Sequence, residues 1–494
     1  MKIANLSSLL LASFSGKLIY ALASLVSLPL AAHVLGAEAV GLVGFFTTLL
    51  MVLMVLEGGL TSTVIQRLAR IRGAKKERRV QRSVYALVNT YLLVFATVGL
   101  VAAVAIAGAA PLIVTHWLKL EAISPEQALY CLVCMAIFIG LNLPVMLLQG
   151  VFTGCELQRS LNKIYIPYSL MRTLGVLLLV DEVPLVGGVK GYFIVQVAVQ
   201  LAYVLTLLLV LRRHALLGRA RLHIKYVTSG LVFSRGVFLI SLTSVVTVQC
   251  DKIFMSGALS LDEYAYYSLA ATVAGFPYIF STAFNAVLFP RFSRNLKLGE
   301  SEQIEKVFRA ALVLFVLVMT IICSAVIWFG QPVLLMMFEP FIANGMSSVL
   351  PWLLMGTALQ SLLIIPFALQ LAAGWTSLSF RLNVIAMPIM LLALPALVSQ
   401  FGAVGGGYTW VLYNFFSLLC TAYFTCRRFP WLIKAYSTGL AAGGVTAVLA
   451  NCAFFICSLW FTAGFAVVAV TCISSAVIGA VGVVVFRRHL AGLR

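Results

Sequence analysis

The chain has 494 residues, of which 62% are hydrophobic and only 10% charged, with 34 Lys and Arg against 15 Asp and Glu for a formal net charge of +19. A water-soluble domain is about half apolar and a quarter charged, so a mean hydropathy of +1.07 excludes a soluble fold. What remains is a polytopic membrane protein, where lipid permits only helices or closed barrels.

Barrel strands alternate apolar and polar residues over about ten positions. This chain instead shows runs of about twenty apolar residues, the length of a helix that crosses ~30 Å of hydrocarbon. The expected fold is all-α, with about fourteen transmembrane helices. In chain order the spans are Leu9–Leu35, Val40–Ile65, Ser83–Ala107, Ala128–Val151, Ile164–Val180, Gly191–Leu211 and Ser229–Ala258. Then follow Ala265–Phe289, Val307–Phe329, Val349–Leu371, Phe380–Val398, Gly406–Thr425, Thr438–Trp460 and Gly464–Phe486. No cleavable signal peptide is expected, because the first apolar run is too long and Lys17 interrupts it.

An even number of spans puts both termini on one side. That side receives Lys2, the cluster from Arg67 to Arg82, Arg159, Lys163, Arg212 to Lys225, Arg291 to Lys297, Lys306, Arg309, Arg427 to Lys434 and the last residues. The opposite loops hold only Lys119 and Lys190. The positive-inside rule then places both termini in the cytoplasm. The basic balance is a topology signal with added attraction to anionic lipid, and no nucleic-acid partner is expected from such short loops. Cys131 and Cys134 form a CxxC without a second pair or a His cluster, so they read as inert buried thiols, and neither metal nor cofactor is expected.

The chain repeats itself. Leu35 corresponds to Leu259, Arg67 to Arg291 and Arg70 to Arg294, a constant offset of 224 residues. Six spans separate each pair, so the halves share one orientation, a parallel repeat about an axis along the membrane normal. The expected organisation is an N-terminal lobe over 1–215, a C-terminal lobe over 216–436 and two additional helices over 437–494. Two six-helix lobes with a cleft between them can rock to open either face.

Charges within the spans carry the functional signal, since each costs roughly 2.5–3.5 kcal/mol at a helix centre on the insertion scale. Lys17, Glu57, Arg172, Arg235, Asp251 and Lys252 lie at membrane depth. Arg172 is eight residues into its span, roughly 12 Å deep. It reads either as a substrate-facing group or as a structural one satisfied by Asn142, Gln149 or Gln196. Lys17 and Glu57 sit at similar depth on sequential antiparallel spans, so an ion pair between them competes with separate roles. Asp251 and Lys252 point about 100° apart on a helix and are expected to pair poorly. Arg235 lies near the cytoplasmic end of its span, where it can snorkel, and Arg381 sits at a cytoplasmic span start. Together Arg172, Lys17, Arg235, Lys252 and Arg381 outline a cationic cleft, which implies an anionic cargo. Guanidinium stays charged and grips phosphate through paired donors. Glu57 and Asp251 are then candidates for ion or proton coupling, with structural pairing as the competing reading.

Four stretches carry a resemblance: "LEGGLTSTVIQRLA" from Leu56, "CDKIFMSGALSLDEYAYYSLA" from Cys250, "LFPRFSRNLKLGESEQIEKVFR" from Leu288 and "LQLAAGWTSLSFRLN" from Leu369. With them the chain resembles polysaccharide-transporter (Wzx-type) flippases of the multidrug/oligosaccharidyl-lipid/polysaccharide exporter superfamily, over essentially its whole length. Ala265 departs from the pattern, standing where these proteins often have Gly. The resemblance implies a bacterial inner-membrane flippase, not an enzyme, that moves undecaprenyl-pyrophosphate-linked oligosaccharide outward by alternating access for surface or exopolysaccharide assembly. It implies membrane lipids, H+ or Na+, and polysaccharide polymerase and chain-length machinery as partners. Tyr20, Tyr168, Asn89, Asn142 and Gln149 would be platforms and amides for sugars, a reading set against ordinary helix packing. By the same resemblance, the last two spans would guide the lipid tail. Two other readings are ion-coupled multidrug efflux, which favours a carboxylate-rich cleft, and a membrane polysaccharide polymerase or glycosyltransferase, for which the sequence shows no acid–base set on a sizeable loop.

Overall fold

The computed structural model describes residues 29–57, 59–72, 77–155, 157–175, 188–218, 222–375 and 377–460, with isolated positions 27, 220 and 475. Every regular element among the described residues is helical. In order they are α1 (Ala37–Leu53), a 3-10 turn (Met54–Glu57), α2 (Leu60–Arg72), α3 (Glu77–Leu112), a π turn (Ile113–Trp117), α4 (Pro125–Gly154), α5 (Gln158–Leu170) and a second π turn (Met171–Gly175). They continue with α6 (Gly188–Arg213), α7 (Ile224–Ala258), α8 (Leu261–Ala274), α9 (Tyr278–Leu298), α10 (Ser301–Met337) and α11 (Pro340–Leu362). The last are α12 (Ile364–Ala372), α13 (Ser377–Phe401), α14 (Ala403–Arg428) and α15 (Ile433–Trp460).

Local chemistry sets several of these boundaries. The α4 helix starts where Ser124 accepts the Gln127 N–H at 3.3 Å and Pro125 occupies the first turn. The 36 residues of α3 make a rod about 54 Å long, well beyond the hydrocarbon thickness. Its outward residues Leu100 and Val104 are exposed, as a lipid-facing surface requires.

Eight helical stretches are long and apolar enough to cross a membrane: Ala37–Glu57, Gln81–Trp117, Pro125–Gly154, Gly188–Arg213, Ser301–Met337, Pro340–Ala372, Ser377–Phe401 and Pro430–Ser458. Each coincides with one of the spans read from the sequence. Helices also occupy the expected spans that begin at Ser229, Ala265 and Gly406 and the part of the span from Ile164 up to Gly175, with 176–180 outside the described residues. Most of the first expected span and nearly all of the last lie outside the described residues.

By contacts the chain divides into two compact units, Met1–Asp262 and Glu263–Arg494. The first places α7 with the earlier helices, because α7 packs along α1, α2 and α3. Its core joins Leu60 and Val64 of α2, Val88 and Tyr91 of α3, Leu147 and Val151 of α4, and Leu207 of α6. The second unit gathers Phe292, Phe308, Phe315, Ile365, Leu369 and Leu432. Within it α15 lies along α10, where Asn451 accepts the Trp328 indole N–H at 2.8 Å and donates to the Ser324 hydroxyl at 3.2 Å.

Candidate functional site

A polar seam of the first unit runs between α4, α5 and α6. Each helix contributes residues three, four or seven apart, spacings that stack side chains on one face. From α4 come Phe138, Asn142 and Gln149; from α5 and its π turn Tyr165, Tyr168 and Arg172; from α6 Tyr192, Gln196, Gln200 and Tyr203.

Arg172 lies in the π turn that ends α5, five residues after Pro167. A π turn widens the helix by one residue and re-aims its side chains, and such bulges recur at functional sites. The Arg172 Nε donates to the Gln196 side-chain oxygen at 3.2 Å, and the Gln196 amide donates back to the Arg172 carbonyl at 3.4 Å and to the Tyr192 hydroxyl at 3.0 Å. The guanidinium carbon stands 4.8 Å from the centre of the Phe138 ring. Phe138 is itself braced edge-on by Phe46 at 5.1 Å, and Phe46 by Phe193 at 5.6 Å. A cation over a desolvated ring gains about 2 kcal/mol, which offsets a good part of its insertion cost.

Farther along the seam, Tyr168 and Tyr203 stack at 3.8 Å between centroids and 7° between planes. The Tyr168 hydroxyl donates to Gln200, Gln200 donates to the Asn142 oxygen at 3.2 Å, and Gln149 donates to the Tyr203 hydroxyl at 3.0 Å. Gln196 and Gln200 are buried, and buried amides persist only when hydrogen-bonded.

The other expected site residues fall elsewhere. Lys17 lies outside the described residues, as does the Arg235 side chain on α7. Arg381 is exposed at the start of α13. Asp251 and Lys252 correct the sequence reading: their ion pair closes at 3.4 Å, and Lys252 also donates to the Val248 carbonyl at 3.0 Å. The long lysine stem folds back along α7 and spans the 100° that separates neighbours on a helix. Glu57 ends the 3-10 turn that interrupts the expected second span, and Gly59 beyond it takes a left-handed φ of +72°. Its carboxylate accepts the Thr61 N–H at 3.1 Å and borders a recess lined by Leu60, Val94, Phe95, Val98 and Leu143. Asn89 donates to the Gly218 carbonyl at 2.8 Å, which ties down the segment before α7. Tyr91 and Arg67 hold the first turn of α7 through the Tyr226 carbonyl, at 2.8 and 2.7 Å.

The sequence reading named Arg172, Tyr168, Asn142, Gln149 and Gln196 but missed Phe138, Tyr192, Gln200 and Tyr203. Tyr192, Gln200 and Tyr203 share a signal, the recurrence of Tyr and Gln every three or four residues along α6, whereas Phe138 on α4 carries none. No group of three or more His, Cys, Asp or Glu able to hold a metal occurs among the described residues.

A family model described as "Polysaccharide biosynthesis protein" matches residues 8–296. A Shigella flexneri protein described as "Putative O-antigen transporter" is 22% identical over 405 residues, spanning 79% of this chain and 91% of that protein. The solved structure of the lipid II flippase MurJ in an inward closed conformation is similar over 97% of this chain and 99% of that one, with a TM-score of 0.71 at 13% identity. A multidrug resistance MATE family transporter of the MOP superfamily, inward-facing, is similar over 86% of this chain and 94% of its own, with a TM-score of 0.66 at 14% identity. These likenesses show a shared fold, and the proteins that carry it are transporters and flippases rather than enzymes. The family match runs over more than half of the sequence, and the chain therefore belongs to the polysaccharide biosynthesis protein family, as a multi-pass membrane protein with the MurJ and MATE fold.

Proposed function

We propose that this protein flips an undecaprenyl-pyrophosphate-linked oligosaccharide from the cytoplasmic to the periplasmic leaflet of a bacterial inner membrane by alternating access. The observation that carries the reading is Arg172: a permanent cation in an apolar span, held by Gln196 and Phe138 in a π turn. In this reading Arg172 receives the pyrophosphate, and Lys17, Arg235, Lys252 and Arg381 extend the cationic path. Lys252 enters it only by leaving Asp251. Tyr and amide groups of the α4–α5–α6 seam contact sugar. Glu57 and Asp251 are the groups for coupling to H+ or Na+.

The polyisoprenoid tail stays in lipid, because each buried CH₂ is worth ~0.8 kcal/mol. The reading keeps the two repeats, 1–215 and 216–436, as the rocking lobes, with 437–494 beside the tail and both termini in the cytoplasm. Polysaccharide polymerase and chain-length proteins would take the product onward.

The test is translocation of lipid-linked oligosaccharide by purified protein in liposomes. Arg172→Ala should slow flipping about tenfold, a loss of about 1.4 kcal/mol, with expression intact, and Arg172→Lys should recover only part of it. An undiminished rate in Arg172→Ala removes Arg172 from the headgroup site. Since the fold is shared with a multidrug exporter, extrusion of cationic dyes with no flipping would favour drug efflux instead.

A further inference from the structure

The longest described helix of the first unit, α3, holds Gly218 and Tyr226 through Asn89 and Tyr91, and the Trp117–Ile123 segment lies just past its last turn. That segment is tied in an unusual way. Glu38, in the first turn of α1 and 5% exposed, receives three backbone donors from one short irregular stretch. They are the N–H groups of Glu121, Ala122 and Ile123, at 2.8, 2.5 and 2.7 Å. The same stretch holds the turn between α7 and α8. Trp117 donates to the Ser256 hydroxyl at 3.0 Å, Lys119 donates to the Ala258 carbonyl, and Leu261 donates back to the Lys119 carbonyl at 3.3 Å.

That turn also rests directly on α1. A Cβ added at Gly41 would lie 2.1 Å from the Leu261 carbonyl oxygen, so only glycine admits this approach. Two independent features therefore converge on one closure, a carboxylate latch and a glycine seat. The helices that meet there come from both sequence repeats, since Leu261 lies beyond the first six spans, and the 224-residue offset carries Glu38 onto Asp262 in the first turn of α8.

We infer that Glu38 is the latch of a gate that closes this end of the transporter by gripping the 121–123 backbone and, through it, the α7–α8 turn. The inference rests on the alternating-access reading above. Its physics is that of a two-state contact. The carboxylate is satisfied only while all three amides stay in place, so the grip holds or releases as a unit. The elements it joins are rigid helix ends, while the gripped stretch between Leu118 and Ser124 has no helical bonds of its own to break.

The test uses the full-length protein in lipid nanodiscs, which leave both faces open to reagent. Val40→Cys, buried beside the latch at 4% exposure, reports opening by its rate of maleimide labelling. Glu38→Ala in that background should raise the rate about tenfold, the response to a shift of about 1.4 kcal/mol in the closing equilibrium. Glu38→Gln, which keeps one acceptor oxygen, should fall between the two. Gly41→Ala should raise labelling as well by pushing the α7–α8 turn off its seat, and it serves if Glu38→Ala does not fold. Labelling at the parental rate in folded Glu38→Ala and Gly41→Ala would overturn the latch. Labelling needs no cargo, so parental labelling with intact flipping sinks the latch alone. Faster labelling with no oligosaccharide flipping leaves the latch standing and sinks the cargo assignment.

Discussion

Gln196 binds Arg172 through both ends of its amide, which makes it the residue at which headgroup binding and structure can be separated. Gln196→Glu keeps the shape and the acceptor for the Arg172 Nε while adding a counter-charge. A carboxylate there should compete with phosphate for the guanidinium and slow flipping about as much as Arg172→Ala, roughly tenfold, with thermal stability preserved. Gln196→Leu instead removes two donors and one acceptor from a buried network and should cost about 1–3 kcal/mol of stability, read as a lower unfolding midpoint in detergent. Undiminished flipping in Gln196→Glu would argue that Arg172 meets no anion. The sequence exposes Arg172 readily, because a cation in an apolar run has no cheap explanation. It exposes its partners poorly: Phe138 is 34 residues earlier and looks like any core aromatic, and Gln200 differs from a lipid-facing residue only by which face of α6 it takes. Asn89 shows what an amide leaves open in sequence: it reads as a sugar contact or as packing, and its amide donates to the Gly218 carbonyl.

At the scale of elements, helix positions are legible because lipid demands continuous apolar length, and every one of the eight crossing stretches lies where hydropathy puts it. The interruptions are less legible. Nothing in the composition of Met171–Gly175 marks a π turn, and the Glu57–Gly59 break is signalled only by adjacent glycines. The tie between α1 and 121–123 is invisible in sequence, since Glu38 and its partners lie more than eighty residues apart. It nevertheless has a measurable pH signature through Asp262, which lies outside the spans. Burial first, then the Glu38 and Glu121 carboxylates, raise the Asp262 carboxyl above its ordinary range. A carboxyl raised in the folded state binds its proton more tightly there than in the unfolded chain. Its stabilising effect is therefore greatest at acid pH and is lost as pH climbs from the unfolded-chain value through the raised one. Asp262→Asn, neutral throughout, should unfold at a higher temperature than the parent at pH 7 and at the same temperature at about pH 3, below the unfolded-chain carboxyl value. Equal midpoints at both values would show that Asp262 carries no such strain.

For the whole molecule, the repeat and the contacts partition the chain at different places, near residue 215 by sequence correspondence and after Asp262 by packing. The difference has a physical source: α7, which the sequence correspondence would put at the start of a second repeat, lies along α1, α2 and α3. Charge follows neither partition. Arg212, Arg213, His214 and Lys225 are exposed around one connection, whereas the loops that the sequence reading assigns to the opposite face carry Lys119 and Lys190. In an energised membrane such asymmetry fixes orientation, because short loops rich in Lys and Arg are retained in the cytoplasm. Single cysteines tagged with an impermeant maleimide read this directly. In cells whose outer membrane alone has been opened, Ser124→Cys should label and His214→Cys should not, and lysis of the inner membrane should make His214→Cys reactive. The opposite pattern would invert the molecule. It would put the Glu38 closure on the cytoplasmic side, where a closed gate blocks loading rather than release, and the proposed direction of transport would have to be reversed with it.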